Sequence, residues 1–320
     1  MDYNYILVDG NYYARRMFSV HKNLYYKKDG IKYYTGLAHG FLSQLCNLKR
    51  DYEGKVIVVW DRGIKRRKKI DASYKQKRRE KILRDPKKER EQALYVKHFK
   101  FLKWILKYVP VKEMWADGEE GDDILNTLCL RLKGNKLVAS NDHDMYQIIS
   151  ETSHLLMAKG GNDRIYGNRR FFDKFGIQPE DYTWVMALTG CRGDGVDGVP
   201  GIGEKTAIQI VKDHPDFVPT LVGLNKEKNI MDWYPEVDKK GVVTEKNDHF
   251  EIGDKPGKRF MNIFENAKAA FKTYDLIRLY NVWPLVSTWY KDDDLLELYL
   301  ETYGLHDMSS KLEMLRGLGK

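Results

Sequence analysis

Tyr5-Ile6-Leu7-Val8-Asp9-Gly10-Asn11 decides the fold: a short apolar run ends on a carboxylate, and a glycine follows at once. Residues 56–60 repeat the pattern, Val-Ile-Val-Val-Trp, and end at Asp61. Residues 136–139 lead through Ser140 and Asn141 to Asp142 and Asp144. Each run has the length and composition of a buried strand. Helix-like stretches at 33–50, 91–108 and 122–132 separate them. Strands alternating with helices predict an α/β fold, a mostly parallel central sheet covered by helices. In such a sheet the C-terminal strand ends share one edge, where open α/β proteins build their sites. Asp9, Asp61 and Asp142 are therefore expected to converge. Asp also ends strands simply because it favours turns, but that explains one such residue better than three.

The 320 residues, 42% of them hydrophobic, suffice for a core. We expect an α/β core over 1–180 and a helical region over 181–320. Helices are expected at 171–175, 182–188, 204–212, 262–280 and 292–299, a strand at 155–157, and a frayed tail. Residues 213–258 mix Pro, Gly, Asn and charges and read as loops around short elements. The formal net charge of +9 favours a polyanionic partner. Cys46, Cys129 and Cys191 lie far apart and match no zinc-ligand spacing, so a reduced, intracellular protein is the simple expectation. Neither a secretory leader nor a membrane-spanning stretch is read from the sequence, and nothing points to more than a monomer.

Residues 62–81 hold eleven Lys or Arg and only two acids, Asp71 and Glu80. Arg62, Lys65, Arg66, Arg67, Lys68 and Lys69 are candidate phosphate contacts. Tyr74 among these cations suits a single-stranded or frayed nucleic acid, although a solvated loop would read the same way. Glu120, Asp122 and Asp123 stand at a helix start, which favours acids on its own account. Together with Asp9, Asp61, Asp142, Asp144, Asp194 and Asp197 they form an excess of carboxylates that would repel unless cations neutralised them. Hard oxygen donors without a His or Cys set suit magnesium or manganese. Gly198-Val199-Pro200-Gly201-Ile202-Gly203 then opens a helix near Glu204, where free N–H groups can hold a phosphate. Gly201, Gly203, Lys205 and Thr206 are the candidates there. The spacing is neither a P-loop nor a dinucleotide fingerprint.

In order and spacing these motifs resemble the 5′-nuclease family of flap endonucleases, phage 5′-to-3′ exonucleases and the 5′-nuclease domain of bacterial DNA polymerase I. The resemblance rests on Val8-Asp9-Gly10-Asn11, Trp60-Asp61, Tyr74-Lys75-Gln76-Lys77-Arg78, Glu120-Gly121-Asp122-Asp123, Ser140-Asn141-Asp142-His143-Asp144 and residues 193–207. It implies an arch or clamp over about 62–105 and a helix–three-turn–helix near 185–212 that grips duplex phosphates, often with potassium. It implies two Mg²⁺ or Mn²⁺ ions, with Asp9, Asp61, Glu120, Asp122 and Asp142 nearer the first and Asp123, Asp144, Asp194 and Asp197 nearer the second. Lys75 and Arg78 would steady the scissile phosphate, and Tyr74 would stack. The implied substrate is DNA with a 5′ end, flap or nick, or an RNA–DNA hybrid. The implied setting is phage replication or repair in a bacterial host cytoplasm. Gly121 stands where the family has Ala, Gly195 and Gly198 where it has Ser and Asn, and 213–260 has no familiar counterpart. A non-catalytic DNA-binding protein and a related RNA-cutting nuclease stay open as alternatives.

Overall fold

The computed structural model describes residues 2–76, 80, 83–159, 162–191, 193–216, 218–219, 262–263, 265–287 and 293–320. These fall into two compact units. One comprises 1–65, 81–167 and 279–320; the other comprises 66–80 and 168–278. Arg78 and most of the 213–260 tract lie outside the described residues.

The first unit is built on a seven-stranded sheet. Its strands are β1 (Tyr5–Asp9), β4 (Lys55–Val59), β5 (Lys112–Trp115), β6 (Lys136–Ala139), β7 (Ser153–Lys159), β8 (Asn162–Tyr166) and β11 (Leu285–Val286), in the order β11-β5-β4-β1-β6-β7-β8. The five strands β5 to β7 in that order run parallel, while β8 and β11 are antiparallel edges. Both faces are buried at the centre. Ile6, Val8, Val56 and Val58 point into the main core, and their neighbours Leu7 and Ile57 are equally enclosed on the other face. That is why β1 and β4 read as unbroken apolar runs rather than alternating ones.

Helices α1 (Gly10–His21), α2 (Gly36–Tyr52) and α4 (Pro86–Ile105) supply the main core with Tyr13, Phe41, Leu45, Leu102 and Ile105. Asp85 caps α4 by accepting the N–H groups of Lys87 and Lys88, and Pro86 takes the first turn, where its missing N–H costs nothing. Helix α5 (Gly121–Arg131) contacts β1, β4 and β5. The strands Tyr26–Lys28 (β2) and Ile31–Tyr33 (β3) form a separate hairpin that the sequence reading did not include. The expected frayed tail is instead helical: after α10 (Asp293–Thr302), α11 (His306–Ser309) and α12 (Leu312–Gly317) bury Met308, Leu312, Leu315 and Leu318 in the main core. Burying four large apolar side chains offsets the ordering cost that glycines would otherwise make decisive.

Helix α3 (Lys65–Ile70), which belongs to the second unit from Arg66 onward, leads into a turn. The unit holds helices α6 (Asn168–Phe175), α7 (Tyr182–Thr189), α8 (Glu204–Asp213) and α9 (Ala267–Ile277) and the small ladder of β9 (Gly190–Cys191) and β10 (Val196–Asp197), on which α7 and α9 pack. Helix α7 packs on both α8 and α9, and Trp184 stacks on Tyr274 at 4.8 Å. Among the described residues no helix is long and apolar enough to cross a membrane.

Candidate active site

Parallel pairing fixes where the acids fall. Val8 pairs with Val58 on one side and with Ala139 on the other, so β1, β4 and β6 finish at one level. Asp9 ends β1, and Asp61 and Asp142 follow the ends of β4 and β6 by two and three residues. The chain between Asp9 and α1 must pass close to β4. A Cβ on Gly10 would sit 2.7 Å from both the Val59 carbonyl oxygen and the Trp60 ring, so only glycine fits.

Each carboxylate is held. Asp9 accepts the Tyr12 N–H (2.9 Å) as the cap of α1 and the Ser140 hydroxyl (2.9 Å). Asp61 accepts the Asn11 amide (2.8 Å) and the Gly121 N–H (2.7 Å), while its own N–H donates to the Asn11 side-chain oxygen at 3.2 Å. Asn11 thus grips Asp61 at two points. A Cβ on residue 121 would lie 3.0 Å from the Asp61 oxygen, so glycine there eases the backbone contact. Asp142 accepts the Asp144 N–H (3.0 Å) as the cap of a short 3₁₀ turn. Asn11 and Ser140 fall inside the motifs Val8-Asp9-Gly10-Asn11 and Ser140-Asn141-Asp142-His143-Asp144, but sequence alone assigns neither a role of its own.

Five acids feel one another. Burial, then repulsion from Asp61 and Asp142, pushes the Asp9 carboxyl up to about 7, against the hydrogen bonds from Tyr12 and Ser140. Burial pushes Asp122 well above the carboxylate range, with further repulsion from Asp142, Asp9, Asp61 and Glu120. A cluster of hard oxygens whose ionised state is this disfavoured fits divalent cations of the magnesium type, which would reverse the penalty.

Asp123 has a different setting. It is fully buried and accepts the Tyr280 N–H at 2.9 Å. Consecutive helical residues point about 100° apart, so Asp122 and Asp123 do not face one way. The same region, residues 280–282, packs against α5 through Thr127, which accepts the Val282 N–H.

Within the second unit Asp194 and Asp197 flank a tight turn. Gly190 and Gly198 approach so closely there that a Cβ on either would meet backbone at about 2.4 Å or less. Lys75 reaches Asp194 with its ammonium (3.2 Å) and its backbone N–H (3.2 Å), and its φ of 57° is the left-handed region that a side chain rarely adopts. Tyr74 is buried and donates its hydroxyl to Asp194 at 3.2 Å, so it does not offer the stacking face expected of it. Arg67 is likewise buried. Its guanidinium donates to the Leu276 and Arg278 carbonyls at the end of α9 and is not available to phosphate. Arg62, Lys65, Lys68 and Lys69 are exposed as expected, and Arg66 is half-buried. Gly201 (φ 77°) and Gly203 have open space where side chains would stand, directly before α8. Lys205 is exposed and Thr206 half-buried, and Tyr182 fixes Glu204 through a 2.8 Å hydrogen bond.

Residues 4–176 match the family described as 5′-3′ exonuclease, N-terminal resolvase-like domain. A 5′-3′ exonuclease of Aquifex aeolicus is 33% identical over 56% of this chain and 60% of its own length. One of Buchnera aphidicola subsp. Schizaphis graminum is 31% identical over 65% of this chain and 69% of its own. In fold the chain is similar to the bacteriophage T5 flap endonuclease solved with DNA and metal ions, at a TM-score of 0.63 and 20% identity over 99% and 100% of the two chains. The chain belongs to the 5′-3′ exonuclease family. It spans about three fifths of the length of its Aquifex relative.

Proposed function

We propose that this chain is a divalent-metal-dependent 5′ nuclease that hydrolyses phosphodiester bonds in DNA bearing a 5′ end, flap or nick. The observation that carries the reading is the meeting of Asp9, Asp61, Glu120, Asp122 and Asp142, from three strand ends and one helix start, in a cluster whose charges repel. Their donor chemistry suits two Mg²⁺ or Mn²⁺ ions. Bound there, such ions would supply Lewis-acid activation of the attacking water and neutralise charge on the leaving 3′ oxygen. Glu120, buried beside Asp122, and the exposed Asp61 and Asp142 would grip from different depths. Asn11 and Ser140 would hold Asp61 and Asp9 in position. Asp123, Asp144, Asp194 and Asp197 are candidate ligands by motif.

Acids alone repel a polyanion, so attraction must come from cations. Lys75, held by Asp194, is the candidate to meet the scissile phosphate, with Arg78 as its partner by motif. Lys65, Lys68 and Lys69 would draw the 5′ strand within an arch over about 62–105. The turn at Gly201 and Gly203 would cradle a duplex phosphate at the start of α8, the place for a potassium ion in a helix–three-turn–helix. An RNA–DNA hybrid fits the same contacts, because none of them reads a base or a 2′-hydroxyl. The reading is of a monomer working inside the cell, in replication or repair of a phage or its host.

A 5′-labelled flap duplex, incubated with the protein with and without magnesium, tests it. Cutting near the junction that requires the metal is the expected result. Tight binding in calcium without cutting in magnesium or manganese would make the chain a binding protein instead.

A further inference from the structure

A cavity of about 690 Å³ opens in the first unit beside the acid cluster, and Asp61 belongs to both. Its floor is a closed network. The Trp60 indole N–H donates to Glu113 at 2.7 Å, and the Lys103 ammonium pairs with the same carboxylate and lies 4.5 Å over the Trp60 ring. The Ser287 hydroxyl accepts the Glu113 N–H at 3.1 Å. Phe99 packs edge-on against Trp60. The Trp60 indole, the Lys103 ammonium and the Glu113 carboxylate are therefore engaged with one another, so this floor offers mainly surface to a ligand.

The mouth is different. The Arg62 guanidinium stands 5.4 Å from the Trp115 ring, and the exposed Lys107 makes no ion pair among the described residues. Because Lys103 and Glu113 cancel, Arg62 and Lys107 set the sign of the opening against Asp61 alone. Aromatic surface flanked by cations is the chemistry that takes a nucleobase on its face and a phosphate at its side. The cavity is larger than one nucleotide needs and lies within the range of small-molecule sites. Paired bases in a duplex are stacked and cannot enter a cavity, whereas an unpaired one can.

We propose that this cavity is a subsite for one unpaired nucleotide of the 5′ strand, adjacent to the scissile phosphate, with its base against Trp115 and its phosphate near Arg62 and Lys107. The inference rests on the 5′-nuclease reading for the identity of that strand. A released mononucleotide has the same chemistry and is the competing source.

The test uses the full chain in calcium with 5′-flap duplexes carrying 2-aminopurine at each of the first four unpaired positions, and separately with free 2-aminopurine deoxynucleoside monophosphate. Stacking quenches this base. We expect quenching concentrated at one flap position, lost in Trp115→Ala. Lys107→Ala, on an exposed residue that does not threaten folding, should bind the flap duplex about five- to tenfold more weakly. Quenching of the free nucleotide but of no flap position would overturn the proposal in favour of a product site. Quenching that survives both substitutions, or none anywhere, would overturn it outright. Cutting in magnesium is read in parallel. A protein that cuts flaps without quenching refutes the subsite alone, and one that quenches in the Trp115-dependent way but never cuts refutes the nuclease reading alone.

Discussion

Asp9 shows at the scale of one residue what the cluster costs. Its carboxyl is raised to about 7 by burial and by its neighbours. A group whose folded pKa is raised stabilises the fold fully below its unfolded value, and that contribution disappears as pH rises through the folded value. The metal-free protein should therefore melt at a higher temperature near pH 5 than near pH 8, and Asp9→Asn should flatten the difference. Magnesium should raise the melting temperature more at pH 8, where the carboxylates it needs are ionised. A metal-free profile that rises toward pH 8 would contradict the repulsion. Asn11 is the second residue to test, because its two hydrogen bonds orient Asp61. Removing such an orienting partner costs about 10–100-fold in metal affinity. Asn11→Ala should thus raise the magnesium concentration for half-maximal activity while leaving the melting temperature of the metal-free protein nearly unchanged. An equal metal requirement would reduce Asn11 to a packing group.

Among elements, the basic segment separates into two kinds of residue. Arg67 ties residues 66–80 to the end of α9, and Asp71 is held near 2 by the Lys272 ammonium and the Ser73 hydroxyl. Lys68 and Lys69 stand in solvent. Replacing both lysines by alanine should weaken DNA binding and flatten its salt dependence, since fewer counterions are released. Arg67→Ala should instead lower stability in denaturant by about 1–3 kcal/mol, because buried carbonyls lose a charged donor. A shallower salt slope in the Arg67 variant would show that residue on phosphate after all. Sequence could not divide these residues, since a run of like charges carries no period that separates a buried side chain from its neighbours. The strands around Asp9, Asp61 and Asp142 were legible for the opposite reason: burial on both faces writes an unbroken apolar run. Strand β5, Lys-Glu-Met-Trp, was not legible. Its glutamate is buried against Trp60 and Lys103, and that pairing is tertiary. Likewise Asp123 follows Asp122 in sequence with the same chemistry, and only the helical rotation sends it to Tyr280.

Over the whole molecule, the first unit carries the sheet with seven of the nine sequence-predicted acids, and the second carries Asp194, Asp197, Lys75 and the glycine turn. The fold class was readable because strand and helix alternate through the sheet. The closing helices α11 and α12 were not, since their apolar residues sit among charges and glycines and acquire meaning only against α2. Substituting a proposed ligand should separate binding from chemistry: Asp142→Asn is expected to hold flap DNA in calcium nearly as the parent does while losing turnover by orders of magnitude in magnesium. Equal turnover would remove Asp142 from the site. The central claim is that five carboxylates from distant parts of the chain form one cation site, and manganese binding reads it directly. Following the free Mn²⁺ electron paramagnetic resonance signal as the protein is added, the parent should take up the ion saturably at neutral pH and Asp9→Asn and Asp142→Asn should each bind it at least about tenfold more weakly. Uptake identical in all three proteins, or none in the parent, would contradict it.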